Sequence, residues 1–241
     1  MSAESFDNWY LHTHTLYGKA SQDIVRYAVN RTLSNQPACA TGTTYRVAQE
    51  YWADWDSFEK CWNSPSGHAV LGDGLANLGL GPEAIPAIAI TEDTQFEVAR
   101  PASFSTIRRG YRSSPDGTIV KFLAFGVAAG ADGLKDWYRG RHGGIGSDPR
   151  VREHVFGTTL GRVLRIGLVG AIPGDGQTAL DWVLELWFDT EAQATEFLSD
   201  TAFGTLWSEL VERSTDVRSA LYRGQEMLVA TTALDHVDNT R

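Results

Sequence analysis

The chain has 241 residues and a formal net charge of −9, and its 42% hydrophobic and 21% charged residues are typical of a folded protein. The 21 Lys and Arg residues are scattered, which argues against nucleic-acid binding, because a phosphate backbone requires a basic face. No stretch reaches the roughly 20 apolar residues of a membrane span, and the N-terminus lacks a signal-peptide pattern. These features predict a cytoplasmic protein without a membrane partner.

Two short segments near the middle of each half of the chain resemble each other and indicate an internal repeat. VAQEYWADWDSFEKCWNS and VLELWFDTEAQATEFLSD both read as a strand with aromatic residues, then an Asp, then an amphipathic helix. Further upstream, WYLHTHTLYGKASQDIVRYAVNR aligns with VKFLAFGVAAGADGLKDWYRGRH, and this register places Tyr27 opposite Tyr138. Each half then reads β-α-β-β-α-β.

The predicted elements of the first unit, residues 1–99, begin with a strand and a helix. In chain order they are strand Trp9–Tyr17, helix Gln22–Leu33, a short strand near Thr43–Tyr45, strand Arg46–Ala53, helix Ser57–Leu78 and strand Ile88–Val98. Residues 100–117 are rich in Pro, Gly, Ser and Arg, which predicts a linker.

The second unit, residues 118–230, repeats this order, and residues 231–241 form a polar, flexible tail. Its predicted elements are strand Thr118–Ala128, helix Leu134–Arg141, strand Arg152–Ile166, strand Leu180–Phe188, helix Ala192–Ser214 and strand Gln225–Ala230.

The pattern predicts an α+β protein made of two ferredoxin-like units. A four-stranded sheet covered by helices on one face must bury its other face, and the second unit supplies a matching sheet. Packing of the two sheets closes a barrel and makes a pseudo-dimer within one chain. A homodimer formed through the outer helices is a further alternative. Two independent domains, or an α+β fold without internal symmetry, are the alternatives.

The segment DWYRGRHGGIGSDPRVREHVFGTTL carries an aromatic residue, Tyr138, near the end of a helix, then His142 with two glycines, then a strand around His154. In these features it resembles the EthD family of the dimeric α/β-barrel superfamily. The resemblance implies that fold for each unit. Because the repeat register puts Arg31 in the place of His142, it also implies that only the second unit has a working pocket.

Three residues are the predicted catalytic set: His142, His154 and Tyr138. A histidine suits proton transfer near neutral pH, and His154 or Tyr138 would assist His142. A purely structural reading is that His142 stabilises the C-terminal end of its helix.

The residues predicted to bind substrate are polar or aromatic side chains expected to line a pocket. His12 and His14 lie two apart, hence on one face of the predicted first strand, but no third metal ligand accompanies them. The other members of the set are Tyr45, Trp52, Arg141, Trp182 and Trp187. Cys39 and Cys61 lack metal-site spacing, and the glycine-rich strings lack the context of a nucleotide site, so we expect no metal and no cofactor.

A pocket with aromatic walls and a histidine predicts an enzyme that acts on a small apolar molecule. The resemblance implies that this enzyme is cofactor-independent and that its substrate is aromatic, polyketide-like or a lactone. Its reaction would be dehydration, isomerisation or cyclisation, which makes it a lyase or isomerase. The functions of proteins with the implied fold suggest two alternatives. One is an oxidoreductase (oxygenase or peroxidase-like) that uses dioxygen or heme, and the other is a non-catalytic stress protein that binds an apolar ligand.

Overall fold

The structure, a computed structural model, describes residues 1–20, 24–42, 45–52, 54–78, 91–96, 118–130, 133–141, 143–159, 164–166, 170–172 and 181–229. The first half contains α1 (Ala3–Trp9), a π-helical turn (Tyr10–His14), α2 (Thr15–Ala20), β1 (Ile24–Thr32), β2 (Arg46–Trp52), α3 (Trp55–Trp62), α4 (Pro65–Leu78) and β3 (Thr91–Phe96). The second half contains β4 (Thr118–Ala128), α5 (Leu134–Arg141), α6 (Gly143–Gly146), β5 (Glu153–Thr159), β6 (Leu164–Ile166), β7 (Gly170–Ile172), β8 (Trp182–Phe188), α7 (Glu191–Leu198), α8 (Thr201–Glu212) and β9 (Ser214–Val229).

Seven strands form one antiparallel sheet in the order β2-β1-β9-β4-β8-β5-β3, and β6 and β7 form a separate hairpin. The second half contributes β9-β4-β8-β5, which is the strand order of a ferredoxin-like unit. The first half joins this sheet at both edges, since β1 pairs with β9 and β3 pairs with β5. The fold is therefore α+β, and the two halves are not independent domains.

The main hydrophobic core lies between the helices and one face of the second half's strands. Alternate residues of a strand point to the same face, so Phe122 and Leu186, which pair across β4 and β8, both face the helices. Phe122 packs edge-on against Phe203 and Trp207 of α8, with ring centroids 5.8 and 5.4 Å apart. We call this the helix-facing side of the sheet, and the opposite side the inner face.

The predicted elements of the second half are largely confirmed. β4 and α5 have the predicted bounds, and the predicted long strand becomes β5 and β6, with residues 160–163 between them outside the described ranges. The long helix is divided because Asp200 accepts a hydrogen bond from the Ala202 amide and caps α8. The last strand begins at Ser214 rather than Gln225, because it pairs along the whole of β4.

The predicted strand Trp9–Tyr17 is wrong, because this segment is helical from Ala3 to Ala20. Ser2 caps the first helix by accepting a hydrogen bond from the Ser5 amide. Phe6 then stacks on Tyr10 at 5.4 Å and meets Trp9 at 5.6 Å, so aromatic residues three and four apart share one face. Helical spacing of these rings outweighs the alternation that favoured a strand.

The predicted helix Gln22–Leu33 is also wrong, because Ile24–Thr32 is the strand β1. Tyr27 and Val29 pack on the helix-facing side, whereas Ala28 and Asn30 are buried on the other side, which is the alternation of a strand buried on both faces. The register that placed Tyr27 opposite the helical Tyr138, and Arg31 in the place of His142, therefore does not hold.

The rest of the first half follows the prediction more closely. The strand Arg46–Ala53 is confirmed as β2, the helix Ser57–Leu78 as the pair α3 and α4, and Ile88–Val98 contains β3. Tyr45 lies at a bend rather than in a strand, and Thr43 lies outside the described residues, as do residues 100–117 and 231–241. No helix in the described ranges is long and apolar enough to cross a membrane.

Candidate functional site

A buried polar cluster fills the inner face of the sheet. Its centre is Glu185 on β8, whose side chain is 3% exposed. Its carboxylate accepts hydrogen bonds from Gln49 Nε2 at 2.6 Å, Tyr51 hydroxyl at 3.0 Å and Trp187 Nε1 at 2.9 Å. β2 and β8 are four strands apart, which is about 19 Å in a flat sheet. The sheet must therefore curl until β2 faces β8.

Lys121 on β4 extends this inner cluster. Its ammonium donates to Gln49 Oε1 at 3.0 Å and lies 3.9 Å from the centroid of the Trp187 ring. Gln49 Oε1 also accepts a hydrogen bond from Asn30 on β1 at 2.9 Å. Both halves thus supply partners to a buried cation and a buried carboxylate, and these hydrogen bonds offset the cost of removing the two charges from water.

The inner cluster is better suited to stabilising the curled sheet than to chemistry. A carboxylate has about four acceptor positions. Three donors engage those of Glu185: Gln49, Trp187 and the Tyr51 hydroxyl, whose oxygen lies 3.0 and 3.3 Å from the two carboxylate oxygens. Little acceptor capacity remains for a reacting molecule.

A second polar pair lies on the helix-facing side of the same sheet. The Tyr138 hydroxyl on α5 and His154 Nε2 on β5 are 2.7 Å apart, and both side chains are fully buried. The Tyr138 ring stacks on Phe156, with centroids 4.1 Å apart and planes 7° apart, and Phe156 in turn stacks on Trp182. Burial raises the pKa of Tyr138 well above its ordinary value. The Tyr138 phenol is therefore neutral, and the His154 tautomer decides which of the two groups donates in their hydrogen bond.

The structure describes two of the three predicted catalytic residues. Tyr138 and His154 come together as a hydrogen-bonded pair. His142 lies outside the described residues, between the end of α5 at Arg141 and the start of α6 at Gly143. Arg141 is more than half exposed and lies 3.5 Å from Glu209, so it is a surface ion pair. The Arg141 side chain is therefore not held in a pocket.

The predicted binding residues of the second half lie on opposite faces of the sheet. Trp182 is buried on the helix-facing side and donates a hydrogen bond from Nε1 to the Ser214 hydroxyl at 3.1 Å. Trp187 belongs to the inner cluster. The two residues therefore do not line one common pocket.

The predicted binding residues of the first half are also spread out. Tyr45 is 40% exposed and donates to Asp7 at 2.9 Å, while Trp52 packs beside Phe58 of α3. His12 is exposed, and His14 is partly buried beside Asp73. The expectation that His12 and His14 share one strand face is wrong, because both lie in the π-helical turn.

Sequence reasoning missed Lys121, Glu185 and Gln49. A signal was present, since Lys121 stands alone in the apolar run IVKFLAF and Glu185 alone in WVLELWF. A single charge within an apolar strand indicates a buried partner, because an unpaired buried charge is costly. Among the described residues, no group of three potential metal ligands is arranged to hold a metal ion.

The curled antiparallel sheet with helices on one face defines an α+β fold, which also occurs in dimeric α/β-barrel proteins. Two solved structures share this fold. An anthrone oxidase-like protein is 10% identical, with a TM-score of 0.55 over 95% of this chain and 92% of its own. A candidate monooxygenase from Fusobacterium nucleatum is also 10% identical, with a TM-score of 0.50 over 94% of this chain and 86% of its own.

At this identity the likeness shows the fold alone. No protein-family model matches the sequence, and no curated protein matches it.

Proposed function

We propose that the chain is an enzyme that moves a proton on a small, largely apolar molecule without a bound cofactor. The observation that carries this proposal is the buried hydrogen bond between Tyr138 and His154. A neutral tyrosine that is hydrogen-bonded to a histidine, among stacked rings, is a donor held in a fixed position in an apolar layer.

The pair has a defined chemical role in this proposal. His154 in its Nε2–H tautomer donates to the Tyr138 oxygen, and in the proposed complex the side chains around this buried pair rearrange so that the Tyr138 O–H donates to a carbonyl oxygen of the substrate. That donation stabilises the negative charge that develops on the oxygen when a neighbouring C–H proton is removed. His142, which follows α5 directly, is the proposed base.

Anthrone is the test substrate, because a protein with the same fold is named anthrone oxidase-like. Anthrone is a flat tricyclic ketone with an acidic CH₂ group. Incubation in D₂O without oxygen measures proton transfer alone, as deuterium incorporated at that carbon. We expect His142→Gln to lower the exchange rate about 100-fold or more and Tyr138→Phe about 10-fold, which are typical losses for a general base and an oxyanion donor.

Asp136→Asn is the matched control, since Asp136 lies on the same helix with its side chain 81% exposed. Its exchange rate should equal that of the unaltered chain. If His142→Gln and Tyr138→Phe fold normally and also exchange at the unaltered rate, the proposal is wrong.

The oxygenase alternative rests on the names of the two structures with the same fold, an anthrone oxidase-like protein and a candidate monooxygenase. The same substrate separates the two functions. Oxidation of anthrone to anthraquinone consumes one O₂ and forms one H₂O, so an oxygen electrode measures it directly. Oxygen uptake that depends on the protein supports an oxidoreductase, and exchange without uptake supports a lyase or isomerase. Stable anthrone binding without either reaction supports a ligand-binding protein.

We further propose that the chain is a tandem pseudo-dimer, with residues 1–99 and 118–230 as its units. The reciprocal pairing supports this, because the last strand of each half lies beside a strand of the other half: β9 beside β1, and β3 beside β5. In such a chain each half supplies a pairing strand to the other, so we expect a monomer of 26.5 kDa by light scattering. A mass of twice that value would indicate a homodimer instead.

A further inference from the structure

The same aromatic and histidine motif occurs once in each half. WYLHTH begins at Trp9, and WYRGRH begins at Trp137, 128 residues further along the chain. In each half the motif tyrosine hydrogen-bonds to the following strand: Tyr10 to Tyr27 on β1, and Tyr138 to His154 on β5. This correspondence replaces the register that matched Arg31 with His142. The residue of the first half that matches His142 is His14.

His14 is held in one orientation by a carboxylate. Its Nδ1 lies 2.8 Å from Oδ2 of Asp73 on α4. The other oxygen of Asp73 accepts hydrogen bonds from Asn77 Nδ2 at 2.9 Å and Trp9 Nε1 at 3.4 Å. Because the carboxylate accepts, a neutral His14 carries its proton on Nδ1 and leaves Nε2 as a base.

The Nε2 atom of His14 is available to a ligand. Within the described ranges it makes no hydrogen bond, and the His14 side chain is 15% exposed. The Asp73 side chain is 13% exposed, so the pair lies at the edge of the helix layer. By contrast, Tyr138 and His154 in the second half are fully buried.

The surroundings of the pair are aromatic. A π-helical turn brings residues five apart together, and the Trp9 and His14 rings lie 4.9 Å apart, with Tyr10 at 5.2 Å on the same imidazole. A groove of about 570 Å³ is lined by Phe6, which stacks on Tyr10, and by Asn77, which binds Asp73; His14 and Asp73 themselves do not line it. That volume suits a small flat molecule.

We propose that His14 and Asp73 form a second acid–base site, in the first half, for a planar aromatic molecule with a dissociable C–H or O–H proton. His14 Nε2 takes the proton, the Asp73 carboxylate stabilises the resulting imidazolium, and the proton then passes to water or back to the product. This site lies apart from Tyr138 and His154, and it does not depend on them.

The probe is 5-nitrobenzisoxazole, a flat aromatic carbon acid. Removal of its C–H proton by Nε2 breaks the ring N–O bond and yields the coloured 2-cyano-4-nitrophenolate, with the proton released to water. We expect His14→Gln to lower kcat/KM about 100-fold and Asp73→Asn about 10-fold, while Thr13→Ala, an exposed neighbour on the same turn, leaves it unchanged. Equal rates for His14→Gln and the unaltered chain, or an unaltered rate no higher than that of free imidazole, would overturn the proposal.

Two further measurements, of the His14 tautomer and of the effect of His14 modification, separate this role from a merely structural ion pair. The ¹⁵N shifts of His14 should report a proton on Nδ1, and this tautomer should be lost in Asp73→Asn. Carbethoxylation of His14, located by mass spectrometry, should abolish the reaction with 5-nitrobenzisoxazole even if His14→Gln does not fold. A modified His14 with full activity, or a proton on Nε2, would contradict the assignment.

Discussion

Glu185 offers the sharpest test of how the two halves are joined. Its carboxylate is 3% exposed and receives hydrogen bonds from Gln49 and Tyr51 of the first half and from Trp187 of the second. Glu185→Leu introduces an apolar side chain and removes the acceptor of these three hydrogen bonds. Glu185→Gln keeps one acceptor oxygen but turns an NH₂ group toward these donors.

The expected losses follow from these contacts. Each buried donor left without a partner costs about 1–3 kcal/mol, so three of them cost about 3–9 kcal/mol in Glu185→Leu. Removal of the buried carboxylate itself returns several kcal/mol of desolvation cost. The net loss for Glu185→Leu is therefore about 2–5 kcal/mol, and that for Glu185→Gln about 1–3 kcal/mol.

Urea unfolding at neutral pH, followed by tryptophan fluorescence, measures both variants. Glu212→Gln is the control, because Glu212 is exposed at the end of α8. The double variant Glu185→Leu with Tyr51→Phe should lose less than the sum of its single losses, since both changes remove the same hydrogen bond. A Glu185→Leu chain within about 0.5 kcal/mol of the unaltered one, or strictly additive losses, would refute this account of the inner cluster.

Two further predictions concern pH and packing. Burial raises the pKa of Glu50 to about 7 from 4.5. The folded state thus holds a proton that the unfolded state releases, and stability falls by up to about 3 kcal/mol as pH rises through this window. Glu50→Gln should remove that fall in urea unfolding compared at about pH 5 and about pH 8. Gly126→Ala should lower stability by about 1–3 kcal/mol, because a Cβ would lie 2.5 Å from the Asp216 carbonyl and 2.8 Å from the Trp182 ring, whereas Gly130→Ala, with open space around it, should not.

The second half could be predicted from sequence because its local patterns agree with its final packing. In TIVKFLAFGVA the residues alternate between two buried faces, and Thr190 and Asp200 cap the two helices that follow β8. The bounds of β4 and α5 therefore followed from local signals alone.

The first half could not be predicted in the same way, because its local patterns favour two structures. WYLHTHTLY alternates apolar and polar residues like a strand, yet Phe6, Trp9 and Tyr10 also have helical spacing. Tertiary packing decides between the strand and the helix, since Trp9 hydrogen-bonds to Asp73 on α4, which is 64 residues away in sequence. Strand β1 likewise depends on β9, its neighbour from the far end of the chain.

The candidate sites also differ in how well local sequence patterns predict them. Tyr138 and His154 were found because they stand close together in one motif. The His14 and Asp73 pair was not found, because its members are 59 residues apart and the helix that carries His14 was read as a strand. A contact between residues so far apart in sequence depends on the fold and not on local spacing.

The reciprocal pairing of strands constrains the sheet of both halves more than the outer helices. β9 covers one edge of β1, and β3 covers the outer edge of β5, so neither half can unfold without exposing hydrogen-bonding groups of the other. The inner cluster adds the Glu185 contacts across the curled sheet, which connect β2 to β8. The strands are therefore constrained by both halves, whereas the helices that carry Tyr10 and Tyr138 pack on the outside. The outer layers of the two halves differ, since the Tyr138–His154 pair is fully buried, whereas the His14 and Asp73 side chains are 15% and 13% exposed.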